Sequence, residues 1–209
     1  TDKKNEALTG PLYVGSGGLD QARLDWLTNE LQKGQDEGKL MIIVAHIPIK
    51  PQQSLTVTAP SYTFYDHSFE DTLLATLHSY PNLILWIAGH RHLNVVTAQP
   101  SPDVTHPERG FWEVETASLR DFPQQFRTFD IRRNTDNTIS ILVTSVDPAV
   151  AEGSPAAKSR GYAIGAARIF GATPAILADT TSHAYNAELV KQLSPEMQAI
   201  ISNYGSPIE

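Results

Sequence analysis

The sequence of 209 residues is long enough for one sizeable domain or one domain with an extension, and its hydrophobic fraction of 41% is that of a globular chain. A net charge of −7, with 16 basic and 23 acidic residues and no run of Lys and Arg, argues against nucleic-acid binding through a basic stripe. The absence of Cys excludes disulfides, cysteine-ligated zinc and cysteine nucleophiles, and no apolar run reaches the roughly 20 residues of a membrane span.

The polar opening from Thr1 to Thr9, which starts without Met, is what a trimmed, processed or fragmentary product would show. Leu12-Tyr13-Val14 can end a short strand. Gly15-Ser16-Gly17-Gly18 matches neither the dinucleotide nor the P-loop spacing and reads as a turn. Asp20 can cap a helix running to Lys33, with Leu24, Leu27 and Leu31 on one face and Trp26 beside them. Gly34 and Gly38 end it. Leu40 to Ala45 is a continuous apolar run, the pattern of a strand covered on both faces, and His46 stands at its end. Pro48 to Ser61 is a loop rich in Pro, Gln and Thr. Ser68 opens a second helix with Asp71 in the capping-box position, and Phe69, Leu73, Leu77 and Tyr80 form its apolar face before Pro81 stops it. Leu83 to Ala88 is a second buried strand, and it leads directly into Gly89-His90-Arg91-His92.

Helix, strand, helix, strand implies α/β layering. Beyond it the rhythm changes. Phe111 to Thr116, Phe126 to Ile131 and Thr138 to Val146, the last two joined by the polar turn Asn134 to Asn137, predict an antiparallel meander. Residues 147–155 read as a linker. The remainder, Ala-rich over Ala156 to Phe170, predicts a helical extension, with a final helix started by Ser194-Pro195-Glu196. The expected division is therefore 1–149 and 150–209.

Two buried strands thus each deliver histidine at the same kind of place. His90 and His92, one residue apart after a Gly, can face one small volume with His46, and imidazole is the commonest protein ligand for transition metals. A metal site at strand ends follows. No Gly-x-Ser-x-Gly elbow occurs, which argues against a serine hydrolase.

Ala45-His46-Ile47-Pro48 and Gly89-His90-Arg91-His92 resemble the last two motifs of the calcineurin-like metallophosphoesterases, and Leu19 to Leu27 resembles the helix that precedes them. The resemblance covers Leu12 to Val146. It implies a layered αββα-type half-fold of mixed sheets flanked by helices, followed here by the helical extension. It further implies hydrolysis of a phosphomonoester or phosphodiester by water activated between two divalent transition-metal ions such as Zn, Mn or Fe. By motif position, His46 and His90 would ligate the second ion and His92 the first. Arg91, in the variable position, can touch a phosphate or form a surface salt bridge. Arg120, within Ser118-Leu119-Arg120-Asp121-Phe122-Pro123, can steer a phosphate or serve loop structure. His67, in Tyr65-Asp66-His67, can line the substrate mouth or belong to a loop capping the next helix. His78, His106 and His183 are expected to have no role in the chemistry.

The family's Asp-x-His, Gly-Asp-x-x-Asp and Gly-Asn-His motifs do not occur in this sequence. Three imidazoles cannot hold two ions alone, so the reading expects the C-terminal portion of such an enzyme. Its partners would be the N-terminal half or another copy of the chain, with a phosphorylated small molecule as substrate. Two alternatives stand beside it: a non-catalytic interaction domain that kept the fold, and a single-ion site formed by His46, His90 and His92 together.

Overall fold

The computed structural model describes residues 17–18, 21–49, 62–63, 70–171, 181–182 and 184–204. In chain order these form β1 (Gly17–Gly18), α1 (Gln21–Asp36), β2 (Met41–Val44), β3 (Tyr62–Thr63), α2 (Glu70–His78), β4 (Leu83–Ala88), β5 (Val95–Gln99), β6 (Phe111–Glu115), β7 (Phe126–Arg133), β8 (Thr138–Val146), α3 (Pro155–Ile169), β9 (Asn186–Gln192) and α4 (Pro195–Ile201). The fold is α/β, with two main sheets flanked by helices. One sheet has the order β2-β4-β6-β5 and the other β7-β8-β9, while β1 and β3 make a small parallel pair.

In the first sheet β2, β4 and β6 run parallel and β5 returns antiparallel on β6. β4 is central, and its side chains divide between two cores. Trp86 and Ala88 pack with Leu24 and Leu31 of α1 and Leu73 and Leu77 of α2. Ile84 and Leu85 pack with Val114 of β6, Ile139, Ile141 and Val143 of β8, and Met197 of α4. Helices therefore cover one face of this sheet and the second sheet covers the other. A continuous apolar strand is what such double coverage requires. Full burial of a side chain such as Leu85 or Ile141 contributes about 1.5–3 kcal/mol relative to exposure.

α1 stops at Gly38, which takes a φ of 62° while the Lys39 N–H returns to the Gly34 carbonyl at 2.9 Å. A left-handed residue at this point suits Gly, and a Cβ here would also lie 2.6 Å from Ile200 Cδ1 of α4. α4 starts as its sequence predicts, with Ser194 Oγ accepting from the Met197 N–H at 3.2 Å and Pro195 in the first turn.

Three expectations are corrected. Among the described residues β2 is not covered on both faces: it is an edge strand, and Ile42 and Val44 are 42% and 75% exposed. Phe111–Glu115 does not join the meander, because it pairs in parallel with β4. Within the extension expected to be helical, Asn186–Gln192 is a strand antiparallel to β8 and completes the second sheet. There Ala187, Leu189 and Lys191 point inward and Asn186, Glu188 and Val190 outward, a period of two. Lys191 hides that period from the sequence. It is buried, it donates to the Glu108 carbonyl, and burial pushes its ammonium down to about 8. α3 and α4 are helical, as expected.

Candidate functional site

Because β2, β4 and β6 are parallel, their carboxyl ends lie along one edge of the sheet, where open α/β sheets present ligand sites. His46 follows β2 and the Gly89–His92 turn follows β4. The Gly89 N–H donates to the His46 carbonyl at 3.0 Å, and the Thr116 N–H, just past β6, donates to the Ala88 carbonyl at 2.9 Å. The backbone thus ties the three strand ends together before any side chain is considered.

His90 and His92 both take left-handed backbone conformations, with φ of 77° and 59°. The Arg91 N–H bonds to the Gly89 carbonyl at 3.0 Å, so His90 is the centre of a γ-turn with positive φ, a rare and strained arrangement. Strain of this kind costs about 1–3 kcal/mol per residue and persists where the surroundings enforce it. Here it swings the His90 ring toward His46. His90 Nδ1 lies 3.2 Å from His46 Nε2, with the rings edge to face at 78° and their centroids 5.1 Å apart.

That spacing is a hydrogen-bond distance between the two rings, and it also fits a shared metal. Two imidazole nitrogens on one ion, each about 2.1 Å from it at right-angle to tetrahedral separation, lie roughly 3.0–3.4 Å apart. His46 and His90 therefore have the donor type and spacing of two ligands of one ion. They do not complete a set: among the described residues no group of three or more His, Asp or Glu is arranged to hold an ion.

His92 is not brought into the pair. Its Nδ1 is engaged by the Asp121 carboxylate, which also stands 3.8 Å from Arg120 Nε. A carboxylate on Nδ1 fixes the ring and leaves Nε2 as the ligating nitrogen, the arrangement usual for metal-bound histidine. Asp121 was visible in the sequence only as a neighbour of Arg120.

Arg91 forms a salt bridge that is buried rather than at the surface. Its Nε lies 3.1 and 2.9 Å from the two oxygens of Glu115, and its guanidinium is held there further through Nη2. Arg120 is 86% exposed at the rim of the loop. His67 lies outside the described residues. His78 and His106 bond to the Arg109 carbonyl and to Glu108, at 3.0 and 2.9 Å, and neither joins the His46–His90 pair. His183 also lies outside the described residues.

The acids of β6 went unnoticed in the sequence. Glu113 is 3% exposed and accepts from the Ile49 N–H at 2.6 Å and from Gln99 Nε2 at 2.7 Å. Burial pushes its carboxyl up to about 7 against these two bonds, and the nearby Glu115 charge adds to the rise. Burial also raises the Glu115 carboxyl, although the bonds and charge of Arg91 oppose it. Acidic residues on a strand read from sequence as solvent-facing, and only their spacing of two could have placed both on one face.

No family model matches the chain. The manganese-dependent ADP-ribose/CDP-alcohol diphosphatase of Mus musculus is 30% identical to it over 88 residues, which are 42% of this chain and 24% of that protein. The chain thus spans about a quarter of the length of this curated relative. A crystal structure of a dimetal phosphatase from Danio rerio superposes on 67% of this chain and 40% of that one, with a TM-score of 0.44 and 16% identity. By sequence, then, part of this chain is similar to part of a manganese-dependent diphosphatase.

Proposed function

We propose that this chain supplies part of the centre of a metal-dependent phosphoesterase, in which water activated by two divalent transition-metal ions attacks a phosphate ester or diphosphate. The observation that carries this reading is the approach of His46 Nε2 to His90 Nδ1, 3.2 Å, achieved through a strained backbone at His90. Backbone strain of this kind clusters at functional sites, which supports the reading. Likeness to the mouse diphosphatase supports manganese as the first ion to test, with Zn and Fe as alternatives suited to nitrogen and oxygen ligands.

His46 and His90 would hold one ion through Nε2 and Nδ1. His92, oriented by Asp121 on its Nδ1, offers Nε2 to the other. When bound, such ions lower the pKa of a coordinated water and neutralise charge on phosphoryl oxygens. Arg91 is engaged by Glu115, so Arg120, exposed and next to the Asp121 that holds His92, is the candidate to meet a phosphate. His67 remains a candidate for the substrate mouth.

The other ligands come from beyond the described residues, in the N-terminal half of the same enzyme or in another copy of the chain. Incompleteness of the ligand set among the described residues supports this. So does the open edge: Trp26 is 63% and Val44 75% exposed beside a cleft of about 670 Å³ between α1 and β2. An uncovered edge strand with apolar side chains favours association.

The test is hydrolysis of a diphosphate-linked nucleotide, ADP-ribose first, by the chain joined with its N-terminal half in the presence of Mn²⁺. His46→Ala and His90→Ala are each expected to lower kcat at least about 100-fold with folding retained. Turnover at the unsubstituted rate in both variants would refute the assignment.

A further inference from the structure

β6 carries two buried carboxylates at alternate positions, and each one reaches a different histidine-bearing segment. Glu113 accepts from the N–H of Ile49, three residues beyond His46, at 2.6 Å. Glu115 accepts from the N–H of Arg91, at 3.1 Å, and from its Nε at 3.1 and 2.9 Å. Arg91 N–H is the same group that closes the γ-turn around His90. Glu115 therefore braces the strained turn from its C-terminal side, through both the backbone and the side chain of one residue. Gln99 Nε2, at 2.7 Å from Glu113, fixes the first carboxylate in turn. Residues i and i+2 of a strand share a face, so a single rigid element sets the height of both segments.

We propose that Glu113 and Glu115 are positioning residues that together set the separation of the His46 and His90 rings. Each acts through the segment it holds, Glu113 through the main chain at Ile49 and Glu115 through the main chain and side chain of Arg91. Desolvating two acids in one strand is costly, and a packed core alone would be better served by apolar residues. Their placement against the two histidine segments is what that cost secures. The proposal rests on the metal-centre reading for its consequence, but the ring positions can be measured without metal.

The experiment uses the chain labelled with ¹⁵N at histidine. Glu113→Leu, which offers the Ile49 N–H no acceptor, and Glu115→Gln are compared with the unsubstituted chain by NMR of the ring nitrogens, metal-free, and by Mn²⁺ titration. Circular dichroism reports folding. In the folded variants, Glu113→Leu should shift the His46 ring signals and Glu115→Gln those of His90, while exposed His106 stays in place. Mn²⁺ affinity should fall by about 10–100-fold in each, the usual effect of removing a group that orients a metal ligand. If Glu115→Gln fails to fold, Glu115→Asp, which keeps the charge but withdraws it by one methylene, carries the same expectation. Unchanged His46 and His90 signals in the folded variants would overturn the proposal. If the unsubstituted chain alone takes no Mn²⁺, because the remaining ligands lie elsewhere, the ring signals alone decide whether the two acids position the pair.

Discussion

Glu113→Gln tests the electrostatics of β6 through stability. The folded carboxyl titrates at about 7, against 4.5 for the free side chain. Its folded form therefore binds a proton more tightly than its unfolded form. Between those two values the folded chain carries more protons, so this group's contribution is fully present below about pH 4.5 and is lost as the pH rises through about 7. At about 1.4 kcal/mol per pH unit, the window corresponds to about 3 kcal/mol. Glutamine keeps an acceptor for the Ile49 N–H, and Gln99 can turn its amide to match the new partner. Arg91 and Glu115 remain in both proteins, so the difference isolates Glu113. The assay is urea unfolding at about pH 5 and about pH 8, with the two pH slopes compared. The unsubstituted chain should lose about 2–3 kcal/mol more than Glu113→Gln over that interval. Parallel slopes would refute a buried, proton-sharing carboxyl at this position.

Other expectations follow from single sites. His90→Gly should raise stability by up to about 1 kcal/mol by releasing the positive φ, while weakening Mn²⁺ uptake; thermal unfolding and metal titration read the two effects separately. Arg91→Met leaves the Glu115 carboxylate buried without its cation, and should cost about 3–5 kcal/mol at neutral pH, less on acidification as Glu115 takes up a proton. Val44→Lys places charge on the open edge and should reduce self-association in sedimentation experiments, with stability changed by less than about 0.5 kcal/mol.

Much of this architecture was legible because local signals agreed with the fold. Ser194-Pro195 caps a helix where the rule for such pairs puts one, and the run Leu83 to Ala88 is the doubly covered central strand its continuity requires. Gly89-His90-Arg91-His92 announced a turn at a strand end. What the sequence could not carry was the exact aim of each ring. His90 meets His46 only because its backbone is left-handed, and His92 turns to an Asp 29 residues away. The apolar run at β2 promised two covered faces, yet among the described residues it borders open space; its composition records a cover that those residues do not provide. Glu113, Glu115 and Lys191 misled for a common reason. Charged residues inside strands look solvent-facing until the tertiary partner that satisfies them is known.

The central claim is that His46 and His90 are ligands of one divalent ion, and Mn²⁺ binding followed by electron paramagnetic resonance tests it most directly. The account predicts that the chain joined with its N-terminal half takes up more Mn²⁺ than the same protein carrying His46→Ala and His90→Ala. Equal uptake by the two would contradict it.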